Sequence, residues 1–511
     1  MRKPNIVLII MDAVRAQNMS LYGYEKETNP NLKKILEMCV LYKNAISSSN
    51  WTLPSMTSLF TGTYVSKHGL IMHGDVLNSK FSTIAEMLRK EGYRTFSFSR
   101  TPYVSDFTGL DGGFEAIYGF RQKSVKTVLY ELLHREVAEE MQSTERKTIS
   151  SFEAQNYVQK AKNRHSIFQR LIDTKYMQEI LWSITRYFDK SATNLNKRAK
   201  KSMKKSRNKP FFLNINYNET HMPYIVPGGF REKFVPVCLK KKVRYVNQDH
   251  RKYYSGEARM DETDFLMLQM LYDGAIAYLD LKIYEIFQFL EKQDLLDDTM
   301  AIITSDHGES FGEHGIMFHV FSLYDTLIKI PLLIKYPAEL NLHGIEDRIV
   351  KTIDIFPTIV DVTGVTDKTL NCQLQGKSLA TSSSSGLHTR NNSMDYAISE
   401  IIAPFHPSLK PLQSSLKKYD RQLISIRTKD AKYIYSSDGK DEFYDLQKDP
   451  HELSNLIYSQ DSRIPELKEK LRLWIKSFIS LYERRRREIE GESRVKFSEE
   501  IKARLRQLGY L

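Results

Sequence analysis

The sequence predicts an α/β protein built on a doubly wound, mostly parallel sheet, and three observations carry that expectation. Its apolar runs at residues 6–11, 210–217, 299–305 and 330–335 are continuous, not alternating. Such runs read as strands covered on both faces. Between them lie stretches of helical periodicity, as at residues 81–91 and 266–290, and strands alternating with amphipathic helices belong to layered α/β folds. Three of the four polar clusters able to do chemistry follow directly on an apolar run, and in such sheets ligands bind beyond the carboxyl ends of the strands.

The 511 residues suffice for two or three domains. Residues 1–380 are expected to form the α/β domain, interrupted by a helical insertion at about 121–209 that is charge-rich and poor in Gly and Pro. Residues 380–386 are Ser-rich and read as a surface loop. Within 381–464, the runs at 422–427 and 432–435 flank turn residues and precede 441–446, which predicts a small antiparallel sheet. Residues 465–511 read as a charged, amphipathic helix and tail.

No apolar run approaches the roughly 20 residues of a spanning helix, so no transmembrane segment is expected. The opening run ends in Asp12-Ala13-Val14-Arg15, not in a small-residue cleavage site, and a cytoplasmic location follows as an expectation. Cys39, Cys238 and Cys372 lack metal-ligand spacing; they are expected to be buried, unreactive thiols. The formal net charge is +13, and the Lys and Arg residues concentrate at 197–209 and 483–494. Such runs are ordinarily solvated helix faces, so no specific nucleic-acid binding is expected. Attraction to anionic substrates, or peripheral contact with anionic membrane headgroups, is the weaker reading.

Asp12 ends the first strand, where an Asp serves as a helix cap about as often as anything else. Thr304-Ser305-Asp306-His307-Gly308-Glu309-Ser310 is more informative. A carboxylate and an imidazole side by side at a strand end suit an oxygen/nitrogen site for zinc, manganese or magnesium. Gly312-Glu313-His314-Gly315 and His319 follow closely. Residues 50–62, with Thr52 and Ser55 before an apolar helical pattern, read either as an N-cap or as a hydroxyl at a helix N-terminus, where a bound anion is favoured. A cation on that hydroxyl would make it a nucleophile. Asn218-Glu219-Thr220-His221 follows another apolar strand, and His221 there is able to bind an oxyanion or protonate a leaving group.

In this order the clusters resemble the sulfatase-like family of the alkaline phosphatase superfamily. The resemblance runs from Asn5–Arg15 and Leu21–Tyr24, through Thr52-Leu53-Pro54-Ser55, Leu59–Gly62 and His68-Gly69, to Tyr272-Asp273, Ala277–Asp280 and Ser305–Gly308. It continues in Ile353–Thr358, Phe443–Leu446 with Asp449-Pro450, and Arg504–Leu511. It implies an alkaline-phosphatase-like core with a smaller C-terminal α+β subdomain. It also implies one divalent ion (Mn, Zn, Mg or Ca) held by Asp12, Thr52, Asp306 and His307. Thr52, His221 and His319 would be catalytic, with Trp51, Lys67, His221 and His319 against the substrate.

Members of the family that work through formylglycine carry Cys or Ser at the Thr52 position and Arg at the Met56 position. Threonine cannot form that aldehyde, so no formylglycine is expected. Ala13 replaces an acidic residue, and the His307 nitrogen favours manganese or zinc over calcium. The implied activity is hydrolysis of a sulfate or phosphate ester through Thr52 and a covalent intermediate. The expected substrate is an anionic small molecule, or a glycan or lipid ester. A phosphodiester or phosphonate hydrolase or a head-group phosphotransferase is the alternative enzyme, and an inactive binder of an anionic glycan or lipid the alternative class.

Overall fold

The computed structural model describes residues 3–119, 192–206, 208–380, 396–403, 409, 412 and 416–491. Most of the expected insertion, the Ser-rich loop and the C-terminal tail lie outside the described residues.

The main sheet has eight strands: β1 (Asn5–Met11), β2 (Val40–Ile46), β3 (Arg94–Ser99), β4 (Ala116–Gly119), β5 (Phe211–Tyr217), β6 (Thr299–Thr304), β7 (Lys329–Lys335) and β8 (Gly344–Lys351). Their order across the sheet is β4-β3-β5-β1-β6-β7-β2-β8. β1 lies at the centre, parallel to β5 and β6, with Ile10 opposite both Asn216 and Thr304. β7 alone runs antiparallel to its neighbours β6 and β2. The sheet is therefore mixed but mostly parallel, as the apolar runs predict.

Helices cover both faces. Val7 and Ile9 of β1 face a core that includes Leu195 and Met203 of one helix, and Leu271, Leu279 and Phe287 of a second, 31-residue helix. Ile6, Leu8 and Ile10 face a core with Leu59, Phe60, Leu88 and Ile359. The longer helices of this domain among the described residues are α1 (Thr52–Thr61), α2 (Ile84–Lys90), α3 (Ala192–Lys205), α4 (Glu262–Lys292) and α5 (Ile355–Thr363). α2 begins at a capping box in which Thr83 Oγ1 accepts from Glu86 N and the Glu86 carboxylate accepts from Thr83 N; this closes two orphan donors of the first turn. α3 carries Lys197, Arg198, Lys201, Lys204 and Lys205, and buries Leu195, Ala199 and Met203.

A second sheet, order β12-β11-β10-β9, is wholly antiparallel. It comprises β9 (Tyr396–Ile401), β10 (Leu423–Thr428), β11 (Ala431–Ser436) and β12 (Glu442–Asp445), with α6 (Arg463–Gly491) following. One face packs Ile398, Ile426 and Tyr433 against Leu467 and Leu471 of α6. The other packs Ala397, Leu423 and Ile434 against Ile46, Leu323, Leu327 and Ile328 of the main domain. The α/β expectation and the small antiparallel sheet are thus both present.

Two details differ from expectation. Cys39 is buried, and burial pushes its thiol up to about 12, but Cys238 and Cys372 are exposed. They sit on the short helical segments Val237–Leu239 and Lys368–Gln373. Among the described residues, no helix is long and apolar enough to cross a membrane.

His250 is buried and stacks on Phe318, ring centroids 3.8 Å apart. Burial lowers its pKa to about 3, against the opposing pull of Asp249. The folded state therefore holds the neutral ring, and stability present above the unfolded value near 6.5 is lost as pH falls from there toward 3. Denaturant titrations from pH 7.5 to 4 are expected to give a shallower pH dependence for His250→Phe than for the wild type; parallel curves would contradict the buried neutral ring.

Candidate active site

The site lies where three adjacent parallel strands end. Asp12 follows β1, Asp306 and His307 follow β6, and Asn218 and His221 follow β5. Asp12, Thr52, Asp306, His307 and His319 are all fully buried, and His221 is 1% exposed. Asp12, Asp306 and His307 each offer a ligand atom within 4.8 Å of the others.

The imidazole orientation defines the focus of the cluster. His307 Nδ1 lies 2.8 Å from the Gly308 carbonyl, so Nδ1 carries the proton and Nε2 presents a lone pair. That lone pair is 3.1 Å from Thr52 Oγ1, 3.4 Å from Asp306 Oδ2 and 3.7 Å from Asp12 Oδ1. Asp306 Oδ1 is held by the amides of Ala13 at 3.2 Å and His307 at 3.0 Å. Asn218 Nδ2 donates to Asp12 Oδ2 at 2.5 Å, and Thr220 Oγ1 to the Asp12 carbonyl at 2.6 Å. Burial pushes Asp306 up to about 7, with backbone amides pulling it back down. Two carboxylates, an imidazole nitrogen and a hydroxyl converging in a buried space form an oxygen/nitrogen donor set suited to a divalent cation.

Thr52 is the first residue of α1. The helix is capped at Trp51 without a side-chain bond, and the Thr52 hydroxyl points to His307. The N-cap reading of this threonine therefore does not hold. The backbone after Asp12 turns sharply, with Ala13 at φ 61°. Tyr272 of α4 secures that turn: its hydroxyl donates to the Ala13 carbonyl at 2.7 Å and accepts from the Arg15 amide at 2.9 Å. Asp273 accepts from Asn18, Tyr24 and Lys26, and Asp280 from the amides of Asn31 and Leu32. The Tyr272-Asp273 and Asp280 landmarks thus brace the loop that follows the first strand.

His319 lies beside His307 and His221, with ring centroids at 4.4 and 5.1 Å. Its Nδ1 is 3.4 Å from Glu309 Oε1. Burial, reinforced by Asp12, holds the Glu309 carboxyl well above its usual range. Trp51 stands edge-on to His73 and Tyr103, which stack on each other at 5.4 Å. Burial and then the Asp12 carboxylate raise the Tyr103 hydroxyl well above its ordinary value, which puts that ring within the field of the cluster.

The structure therefore brings together Asp12, Thr52, Asp306, His307, His221 and His319, with Trp51 adjoining Thr52. Lys67 is elsewhere: its ammonium donates to the carbonyls of Cys372 at 3.0 Å and Gln373 at 2.6 Å. Gln373 in turn holds the Thr61 carbonyl at the far end of α1, about 13 Å of helix away from Thr52. Sequence reasoning assigned no role to Asn218, Glu309, His73 or Tyr103. Asn218, directly after β5, and Glu309, two residues beyond His307, stand beside named motif residues, and that proximity was the available signal. His73 and Tyr103 carry no local mark.

Comparison with known proteins places the chain in a family. The family model described as Sulfatase matches residues 4–365. The chain belongs to the sulfatase family. A second model, N-sulphoglucosamine sulphohydrolase, C-terminal, matches residues 312–479 of this sulfatase-family chain. Membership makes the protein an ester hydrolase of the sulfuric or phosphoric type. The multifunctional alkaline phosphatase superfamily protein PehA of Trinickia caryophylli is 24% identical, covering 89% of this chain and 91% of its own. The choline-sulfatase of Rhizobium meliloti (strain 1021) is 23% identical, with 89% and 82% covered. The crystal structure of the phosphonate monoester hydrolase of Agrobacterium radiobacter superposes with a TM-score of 0.64 at 20% identity, covering 94% of this chain and 96% of that one.

Proposed function

We propose that this sulfatase-family chain cleaves a phosphate or phosphonate ester, with Thr52 Oγ1 as nucleophile and Asp12, Thr52, Asp306 and His307 as ligands of one divalent cation. The observation that carries the reading is the Thr52 hydroxyl, 3.1 Å from a lone-pair-bearing His307 Nε2 within a cluster of two buried carboxylates. When bound there, the cation would offset the two carboxylates, lower the pKa of the Thr52 hydroxyl and stabilise charge on the ester oxygens.

Thr52 enters as the alkoxide, its proton released to solvent. Its oxygen forms a bond to phosphorus as the bond to the leaving oxygen breaks. His319 or His221 donates a proton to that oxygen. Water then attacks the phosphorus, the same imidazole accepts the water proton, and Thr52 is freed. Glu309 Oε1 stands 3.4 Å from Nδ1 of His319, on that side of the ring, which leaves Nε2 as the nitrogen to exchange the proton with substrate. Trp51, edge-on to the stacked pair His73 and Tyr103, supplies an aromatic side for the leaving group. An acceptor alcohol in place of water would make the second half-reaction a transfer. Thr52 has no aldehyde hydrate, so the covalent ester must be broken by attack at its central atom. That suits phosphorus better than sulfur.

Sulfate esters are the second reading, supported by the family model and by the choline-sulfatase relative. Aryl sulfate, phosphodiester and phosphonate model substrates assayed side by side separate the two. The highest kcat/KM is expected on a phosphorus substrate, and a sulfate preference by a factor of about 10 or more, a barrier difference near 1.4 kcal/mol, would reverse the order. Dialysis against EDTA is expected to abolish turnover and Mn2+ or Zn2+ to restore it. Saturating cation is expected to raise stability by about 2.7 kcal/mol at 100 times Kd. Full activity after chelation would remove the cation from the mechanism.

A further inference from the structure

A short helical turn, Asp325–Ile328, stands between the two halves of the site and is gripped from behind by the second sheet. From its carboxyl end it holds the site's backbone. The Leu327 carbonyl accepts from the Gly308 amide at 2.7 Å, that of Thr326 from Glu309 at 3.1 Å, and that of Ile328 from Ser47 at 2.8 Å. Ser47 Oγ in turn donates to the Asp306 carbonyl at 2.5 Å. One turn therefore fixes the chain after Asp306-His307 and the segment leading into Thr52.

At its other end the Asp325 carboxylate accepts from two nitrogens of Arg427, Nε at 3.0 Å to Oδ1 and 3.2 Å to Oδ2, and Nη2 at 2.9 Å to Oδ2. Lys432 Nζ lies 2.5 Å from Asp325 Oδ1 and 2.6 Å from Glu452 Oε1, and Glu452 Oε2 accepts from the Asp325 amide at 2.6 Å. The four side chains are at most 5% exposed. Although burial pushes Asp325 up, Arg427 and Lys432 hold it well below the usual carboxylate range. A buried, charge-balanced quartet is a poor source of net stability compared with apolar packing, but it tolerates only one geometry.

We infer that Arg427, Lys432 and Glu452 are positioning residues: acting through Asp325, the second sheet sets the spacing of Asp306-His307 against Thr52, and with it the affinity of the site for its cation. None of the three touches the reacting atoms. The inference rests on the cation reading proposed above.

The test is calorimetric titration of the metal-stripped full chain with MnCl2, alongside thermal unfolding. Arg427→Lys keeps the charge and removes the two-point grip; Asp325→Asn removes the anchor. Ile426→Val, a neighbour on β10 facing α6, is the control for lost stability. Arg427→Lys and Asp325→Asn are expected to bind Mn2+ about tenfold or more weakly, with the control unchanged. If Asp325→Asn fails to fold, Arg427→Lys carries the test. Wild-type Mn2+ affinity in Arg427→Lys, with only the unfolding temperature lowered, overturns the inference alone. Absence of wild-type binding, or undiminished binding by Asp306→Asn, overturns the cation reading and the inference together.

Discussion

Thr52→Ala is expected to cut turnover by roughly 10³-fold or more while the protein stays folded, because removal of a covalent nucleophile leaves only binding and electrostatic catalysis. The fold has little reason to notice. α1 is capped at Trp51 without a side-chain bond, and the hydroxyl's contact is to His307. Alanine is also the better helix former at that position. Steady-state rates measured beside thermal unfolding decide the matter. Near wild-type turnover would transfer the attack to water and leave Thr52 as a ligand at most.

The second large effect concerns Gly308. A Cβ at that position would lie 2.1 Å from the Thr326 carbonyl oxygen and 3.1 Å from Arg15 Cβ. Both obstacles are stiff: one is backbone, and the other belongs to a buried arginine whose guanidinium donates to Glu313 and to the Glu309 carbonyl. Gly308→Ala must therefore push the loop after His307 away from the Asp325–Ile328 turn and break the bond from Gly308 N to Leu327 O. We expect a loss of about 3 kcal/mol together with weakened cation binding, since His307 moves with its neighbour. Urea denaturation and a metal titration on the same preparation report both. A fully stable Gly308→Ala with unaltered metal affinity would mean the loop relaxes freely, against the close contact seen here.

Much of this architecture could be read from the chain because of how parallel sheets bury their strands. β1, β5, β6 and β7 are apolar on both faces, so each appears as an unbroken run. Asp12 and the Asp306-His307 pair then stand out as the first ionisable groups after such runs, and His221 follows Glu219 just beyond β5. β7 shows the limit of that logic: it is antiparallel, yet a strand covered on both sides looks the same in either direction. β2 is broken in sequence by Lys43-Asn44, where its register with both neighbours shifts, and β8 at the sheet edge is largely polar. Neither gives a continuous pattern. Lys67 shows a different limit. A cation near a nucleophile segment invites a substrate role, but the chain turns at Gly62, in the left-handed region with φ 65°, and carries Lys67 to the carbonyls of Cys372 and Gln373. His73 and Tyr103 acquire meaning only through neighbours distant in sequence.

The strand order has a consequence for biosynthesis. β2, whose chain leads into Thr52, is flanked only by β7 and β8, which leave the ribosome nearly 300 residues after it. At about 5–20 residues per second, an unpaired, largely apolar segment waits on the order of 15–60 s for its partners. The central first strand likewise meets β5 and β6 late. Such long-range closure makes for slow assembly and a prolonged interval of exposed edges, so yield in a heterologous host should respond strongly to growth temperature and to chaperone supply.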